Sequence, residues 1–462
     1  MKKQYLLVFL FGTLFFNAQE GQGFYQPSNS SCLSPEKRQQ IQQELDANRQ
    51  LLKSQGKFSE NKTLSHPLFI WPVTKNPDTT YNKVWSISNH VDHNLAYPNK
   101  VQDWNCGART YDTTDGYNHQ GIDIFTWPFG WYMMDNNQAH AVAAADGIII
   151  GKDNGNFDRN CSFGNDDWNA VYIQHADGSV AWYGHLKNNS LTSKAIGSFV
   201  SAGEYLGVVG SSGNSTGPHL HFEVYNSNNQ LVDTYAGSCN TWTSSTDSWW
   251  VSQKPYIDPK INGIFTHSDT AVFDNGCGVQ ETTNFKDSFN TGEKVMVYMY
   301  FADLPVGKSI NLKLIRPDNT IAYNNTFSNS AFYYASYWYF TFQSSQFNQY
   351  GNWKASVTVD SETVTHDFIY GANMGMSDIN SSKLFSVANP VKNNQLQIIS
   401  KNNLASDKTT LEIYSLDGKR VESKRVELKS GVNLIQVNLQ KYQNYILKIS
   451  NGTFNEVFKI RN

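Results

Sequence analysis

Between Ser215 and Val224 the chain reads Ser-Thr-Gly-Pro-His-Leu-His-Phe-Glu-Val. Gly217-Pro218 forces a bend. The alternation His219, Leu220, His221, Phe222 after it predicts a strand with both imidazoles on one face and the apolar partners on the other. Paired polar residues on a strand often only line a solvated face, yet His-x-His at strand spacing is also a recurrent way to crowd imidazoles around a metal. The second reading gains from an upstream pair, His119 and Asp123 in Tyr117-Asn118-His119-Gln120-Gly121-Ile122-Asp123-Ile124. On one straight strand these two would stand about 13 Å apart at roughly 3.3 Å per residue, too far to share an ion whose ligands lie at about 2 Å. The chain must bend between them, and Gly121 is the permissive residue, with His119 ending a loop and Asp123 on the strand that follows. Two nitrogens and one carboxylate oxygen leave a fourth tetrahedral position open, the mark of a catalytic rather than a structural zinc site.

Taken together, His119-x-x-x-Asp123, Gly184-His185-Leu186 and Gly217-Pro218-His219-Leu220-His221-Phe222-Glu223 resemble the three signature segments of the lysostaphin-type zinc endopeptidases. Ala143-Ala144-Ala145-Asp146-Gly147 and Val208-Val209-Gly210-Ser211-Ser212-Gly213 are similar to that family's core, and the resemblance covers residues 104–226. It implies that His119, Asp123 and His221 hold a zinc ion while His185 and His219 stand beside the metal-bound water. Zinc lowers the pKa of such a water toward neutrality and polarises the scissile carbonyl. Unligated imidazoles take the proton or donate hydrogen bonds to the oxyanion, and which histidine does which stays open. His140 and His175 belong to no matched motif and read as rim or structural histidines. Two insertions depart from the family pattern: Trp127 to Asn137, with Phe129, Trp131, Tyr132, Met133 and Met134, and Asn154 to Trp168, with Cys161. Aromatic loops beside a groove form subsite walls or seat a following domain.

The elements that must position these residues are short strands predicted at 147–150, 170–174, 180–183, 205–209 and 219–225, separated by Gly, Asn, Asp and Ser. A mainly β fold follows: an antiparallel catalytic sheet with a groove on one face, then a β-sandwich, then a small C-terminal β-sandwich. The expected organisation is a signal peptide (1–19), an N-terminal helical arm or propeptide (20–66), the catalytic domain (67–237), a Ser/Thr/Trp-rich linker (238–261), the accessory sandwich (262–371) and a C-terminal domain (380–462). In the arm, Ser34 caps a helix with Pro35 at its first position and a thin stripe of Ile41, Leu45, Leu51 and Leu52. It lies over the groove as a propeptide or is an entry segment packed on the domain. The sandwich is read from alternating runs at 294–301, 309–315, 337–342 and 353–359, and its Tyr and Trp suit either wall binding or a spacer.

Met1-Lys2-Lys3, the apolar stretch Tyr5 to Phe16 and the small Ala18 read as a secretory leader too short to span a bilayer, so an extracellular or cell-surface location is expected. Five cysteines in the mature part then favour disulfides with one thiol left over, and the expected pairs are Cys106–Cys161 and Cys239–Cys277. A net charge of −3 and no run of Lys or Arg argue against nucleic acid. The tail, with Phe385-Ser386-Val387-Ala388-Asn389-Pro390-Val391 and a hairpin turn at Asp417-Gly418, resembles the C-terminal sorting domain that Bacteroidetes use for type IX secretion, which implies that machinery as a partner. The function expected from all this is a secreted zinc metalloendopeptidase acting on peptidoglycan cross-links or stems, with Gly-rich extracellular protein as second choice. A wall-binding or activator protein without turnover is the alternative of another class.

Overall fold

The computed structural model describes residues 31–57, 65–164, 166–371, 384–391, 394–400, 409–416, 418–440, 443–451 and 455–462, together with the backbone of 19–22. The expected leader, apart from Gln19, and the turn residue Asp417 lie outside the described residues. The chain divides into two compact units, 1–374 and 375–462.

The first unit is built on an antiparallel sheet in the order Trp85–Asn89, Ile122–Thr126, His219–Tyr225, Val180–Gly184, Ala170–Gln174, Gly147–Asp153, Phe199–Val200, with Leu231–Val232 also paired to the His219–Tyr225 strand. Because side chains alternate, this sheet has two different faces. Leu220, Phe222, Val224, Ala181, Tyr183, Val171, Ile173 and Ile149 point into one core. The opposite face carries His219, His221 and Glu223, then an apolar field of Trp182, Tyr172, Ile150 and Tyr225. Helix α1, Pro35–Ser54, is capped by Ser34, whose Oγ accepts from the Lys37 N–H at 3.2 Å, with Pro35 in the first turn. Its buried stripe is Ile41, Leu45 and Leu52, while Leu51 is exposed. That stripe covers the apolar field, so α1 lies on the histidine-bearing face rather than behind the sheet.

Residues 260–371, joined by Gln19–Gln22, form two sheets. Gln19–Gln22, Tyr333–Phe342, Val295–Leu304 and Lys260–His267 make one; Ser288–Phe289, Glu362–Tyr370, Gly351–Val359, Ser309–Ile315 and Ile321–Ser328 make the other. Between them lie Val295, Val297, Met299, Phe301, Leu312 and Trp353. The Val295–Leu304 strand is buried along its whole length, and its alternate residues Met296, Tyr298 and Tyr300 pack into the core under the sheet that carries His219–Tyr225. The stretch 238–261 adds Trp249 and Trp250 to that same core, against Phe69 and Phe222.

Two disulfides and one buried ion pair fasten these parts. The observed bridges are Cys106–Cys239 and Cys161–Cys277, with Cys32 free and buried, so both expected pairings are wrong. Each bridge closes a loop of more than a hundred residues between segments that meet only through tertiary packing, which nearness in sequence cannot reveal. Arg109, ten residues before His119, makes a two-pronged bond to Asp303 at 2.6 and 3.2 Å, both side chains inaccessible to solvent. It also donates to the carbonyls of Ile87 and Tyr256.

The second unit pairs Phe385–Val387, Gln395–Ser400 and Gly431–Gln436 in one sheet and Arg420–Arg425, Thr410–Ser415, Asn444–Ser450 and Asn455–Arg461 in another. Leu396, Ile398, Leu411, Ile413, Leu447 and Ile449 fill its core.

Asp303 sits at φ 51°, a left-handed conformation that Asn tolerates. Asp303→Asn therefore keeps the backbone while leaving the Arg109 guanidinium buried without its carboxylate. The expected loss is about 3–5 kcal/mol in denaturant unfolding. A loss under about 1 kcal/mol, the scale of an exposed pair, would show that this linkage does not hold the two regions together.

Candidate metal centre

Strand register assembles the site. His221 stands directly opposite Asp123 on one neighbouring strand and opposite Gly184 on the other. His185 follows Gly184 immediately and is one of the few non-glycine residues at positive φ, 60°, which turns the chain out of the strand. His119 lies in the loop before the Ile122–Thr126 strand, with a bend at Gly121. Gly121 is needed for space rather than for a left-handed backbone. A Cβ there would meet His221 Nε2 at 2.6 Å and Cε1 at 2.7 Å.

The imidazoles are oriented by what holds their far nitrogens. His119 Nδ1 faces the His90 carbonyl at 2.7 Å, His185 Nδ1 the Ser212 carbonyl at 2.6 Å, and His219 Nδ1 the Gly217 carbonyl at 2.8 Å. A carbonyl only accepts, so in each ring Nδ1 carries the proton and Nε2 presents a lone pair. His221 is held the other way round: Nε2 is 3.0 Å from Glu223 Oε2, and Nδ1 is 2.8 Å from Asp123 Oδ1. Glu223 is in turn paired with Arg38 of α1, whose guanidinium also donates to the Tyr225 hydroxyl at 2.6 Å.

His119, Asp123 and His221 each bring one ligand atom to within 4.8 Å of the others, and all three are buried. His119 Nε2 lies 3.1 Å from Asp123 Oδ2, yet makes no aligned hydrogen bond among the described residues. Two lone-pair-bearing atoms at that distance, both aimed at the same point, suit a shared cation better than each other. Asn89 Nδ2 donates to Asp123 Oδ2 at 2.9 Å, and the carbonyl and carboxylate behind the two imidazoles supply the outer contacts that metal-binding histidines use. An N, N, O donor set of this kind fits zinc with room for a further ligand. Burial alone would raise the Asp123 carboxyl, but His119 and His219 outweigh it and hold it well below the usual carboxylate range.

The other two histidines stand beside this group. His185 is fully buried, and its Nε2 has no hydrogen-bond partner among the described residues. Its ring is 4.4 Å from that of His219, whose Nε2 is 3.6 Å from Asp123 Oδ1. Burial pushes His185 well below the usual imidazole range, and the neighbouring His219 and His221 act in the same direction. His219 is lowered too, chiefly by burial, against the pull of Asp123. Trp168, at the end of the second insertion, packs over Gly184 and against both His185 and His221, at ring separations of 5.3 and 6.0 Å. His175 bonds to the Asp146 carbonyl and His140 to the Asn137 carbonyl, and neither joins a group able to hold a metal among the described residues.

A cleft of about 450 Å³ opens beside Asp123 and His219. The aromatic insertion both lines this cleft, with Trp127 and Trp131, and seats the accessory region: Phe129 and Trp127 stack on Phe273 at 5.0 and 5.8 Å. Phe273, Asp274, Cys277 and Glu281 form the facing wall, so the accessory region contributes directly to the cleft. Glu281 is occupied in accepting from the backbone N–H groups of Trp131 and Tyr132 in the short helix α2, Gly130–Asp135. Sequence reasoning missed Arg38, Asn89, Trp168 and Cys32. Glu223 was within reach, since period two puts it on the same face as His219 and His221.

Residues 117–234 match the model of Peptidase family M23, the lysostaphin-type family that the motifs resemble. Over 82 residues the chain is 47% identical to proteins named "DD-carboxypeptidase/endopeptidase Mpg" from Neisseria meningitidis and Neisseria gonorrhoeae, which covers 18% of this chain and 16% of theirs. Over 107 residues it is 34% identical to an "Uncharacterized metalloprotease" of Buchnera aphidicola, 23% of each chain. The chain thus spans only a small part of the curated relatives it matches. Among solved structures, dimeric latent PorU from Porphyromonas gingivalis aligns over 68% of this chain and 33% of that one at 16% identity, with a TM-score of 0.17, too low to bear on fold.

Gly121→Ala puts a methyl group against the His221 ring and forces it to move. The expected outcome is roughly 10–100-fold weaker metal binding, the scale seen when a ligand's supporting contacts are disturbed. Metal titration with circular dichroism as a folding control checks it, and wild-type affinity would refute the packing argument. All five motif residues, His119, Asp123, His185, His219 and His221, therefore lie within a segment, about a quarter of the chain, that matches Peptidase family M23.

Proposed function

We propose that the protein is a secreted zinc metalloendopeptidase that hydrolyses peptide bonds of bacterial peptidoglycan, in cross-links or stems. The observation that carries this reading is the convergence of His119, Asp123 and His221 beside two further imidazoles whose Nε2 atoms are left as acceptors. His119 through Nε2, Asp123 through its carboxylate and His221 through Nδ1 would hold the ion. Zinc bound there supplies a Lewis acid for the scissile carbonyl and lowers the pKa of water toward neutrality.

The remaining work falls to the chain's own groups. Each of His185 and His219 has its Nδ1–H tied to a backbone carbonyl, so each offers Nε2 as the atom that accepts a proton from the attacking water. A ring that has taken that proton becomes an N–H donor, able to stabilise an oxyanion or pass the proton to the leaving amine. His219 borders the open cleft and His185 is enclosed, so His219 is the one placed to meet substrate. With all five positions filled, a non-catalytic wall-binding role is the weaker reading.

The leader-like start and the sorting-like tail support export by type IX machinery. Among the described residues, both groups able to hold a metal are drawn from the first unit.

His221→Ala is expected to lose metal and activity together. His219→Ala and His185→Ala should keep near-stoichiometric zinc while kcat falls by about 10²–10⁴. Zinc per protein by atomic emission, measured beside kcat, separates these cases, and loss of zinc in His219→Ala with retention in His221→Ala would reverse the assignment. The substrate is identified by mass spectrometry of fragments released from peptidoglycan and from a Gly-rich matrix protein, and products from the second alone would overturn the peptidoglycan assignment.

Deleting 380–462 should leave hydrolysis unchanged and abolish export in a host with type IX machinery. Normal export of the truncated chain, followed by immunoblot of the medium, would remove the sorting assignment.

A further inference from the structure

The three candidate ligands are held in place by different means. His119 takes its direction from a backbone carbonyl, and Asp123 from Asn89 on the neighbouring strand. His221 depends on the side chain of Glu223, whose Oε2 is 3.0 Å from its Nε2. The Glu223 carboxylate has no exposure to solvent, so its orientation is set wholly by protein donors. Its other oxygen, Oε1, accepts from the Tyr225 hydroxyl and from Arg38 Nη1. Tyr225 and His221 belong to the same strand as Glu223, and both are neutral when they donate. Arg38 is the one full positive charge among these donors, and it comes from outside the sheet.

Arg38 is brought there by the docking of α1. Ile41, Leu45 and Leu52 pack on the field of Ile150, Tyr172 and Trp182, Asn48 Nδ2 donates to the Ile150 carbonyl at 2.9 Å, and the guanidinium lies over the Trp182 ring at 5.8 Å. Just ahead of the helix, the Ser31 carbonyl accepts from Asn214 Nδ2 at 3.0 Å. The buried Cys32 Sγ packs 3.8 Å from His221 Nε2 and so walls the same edge of that ring. With all of this docked, the cleft beside Asp123 and His219 is open, and Cys32 forms part of its lining.

We infer that Arg38 is a positioning residue for His221, acting through Glu223, and that residues 31–54 belong to the working metal centre rather than to a removable arm. The inference rests on the zinc-peptidase reading. By pinning Oε1, the guanidinium leaves Oε2 to accept the His221 Nε2–H, and the ring then turns Nδ1 toward Asp123 and the metal position. A buried carboxylate stripped of its cation is costly and rearranges, and the imidazole it orients is released with it.

The test measures zinc affinity of the full chain by competition with a chromogenic chelator, for wild type, Arg38→Met, Glu223→Gln and the double variant, with circular dichroism to follow folding. A glutamine amide oxygen still accepts from His221 Nε2–H but needs no cation beside it. Arg38→Met is expected to weaken zinc binding by about 10–100-fold in the wild-type background, the scale for a lost outer contact. In the Glu223→Gln background the same substitution should change affinity by less than about threefold, because the two residues act in one chain. Equal weakening in both backgrounds would show that Arg38 only docks the helix, and unchanged affinity in the first would show that it positions nothing; either overturns the inference and leaves the peptidase reading intact. A folded wild-type chain that takes up no zinc overturns the metal reading beneath it. Two measurements need no variant. Nitrogen NMR of the zinc-loaded wild type should show His221 bound through Nδ1 and protonated on Nε2, and the reverse overturns the arrangement. Amino-terminal sequencing of the species that hydrolyses peptidoglycan should find residues 31–54 retained, and full activity with zinc in a chain that begins after Ser54 overturns their place in the centre.

Discussion

Side-chain alternation along the His219–Tyr225 strand is the constraint on which the site depends. Its pairing sets His221 against Asp123 on one side and Gly184 on the other, so three motifs far apart in the chain meet across adjacent strands. A slip of one residue would send both imidazoles into the apolar core and bring Leu220 and Phe222 to the cleft. The register is held because those two residues are themselves buried in the core under the sheet. The hydrophobic face thus selects the polar constellation on the other side.

Given that register, the chemistry is set by backbone carbonyls. His90, Ser212 and Gly217 each present an oxygen to an Nδ1 and so decide which nitrogen faces inward. His221 is oriented by Glu223 instead, and through Glu223 by Arg38, which makes α1 part of the site's support. A buried carboxylate and a buried guanidinium are each costly alone, and here each compensates the other.

Much of this was legible because it is local. Alternation gave the strands at Ala170–Gln174 and His219–Tyr225, the length argument gave a bend between His119 and Asp123, and Ser34-Pro35 gave the start of α1. What was hidden is tertiary. Disulfide partners depend on which loops pack together, and Trp168 reaches His185 only because a long insertion folds back over Gly184. Cys32 looked like an unpaired remainder because nothing in its neighbourhood of the sequence places it beside His221. One signal was present and unread: the run Val295–Leu304 is apolar at nearly every position, where a strand facing water on one side would alternate.

That doubly buried strand bears on how such a protein can be inherited. Tyr298 and Tyr300 sit in the core under the His219–Tyr225 sheet as firmly as Val297 and Met299 sit in the sandwich. Phe273 and Cys277 of the accessory region wall the cleft, and Cys277 is bonded to Cys161. A gene fragment carrying only the matched segment would leave Phe129 and Trp127 facing water, Cys161 without its mate and the Cys106–Cys239 bridge outside it altogether. Recombination between the motifs and the sandwich is thereby penalised. The two regions have to be kept or exchanged together, because each supplies core, disulfide partner and cleft wall to the other.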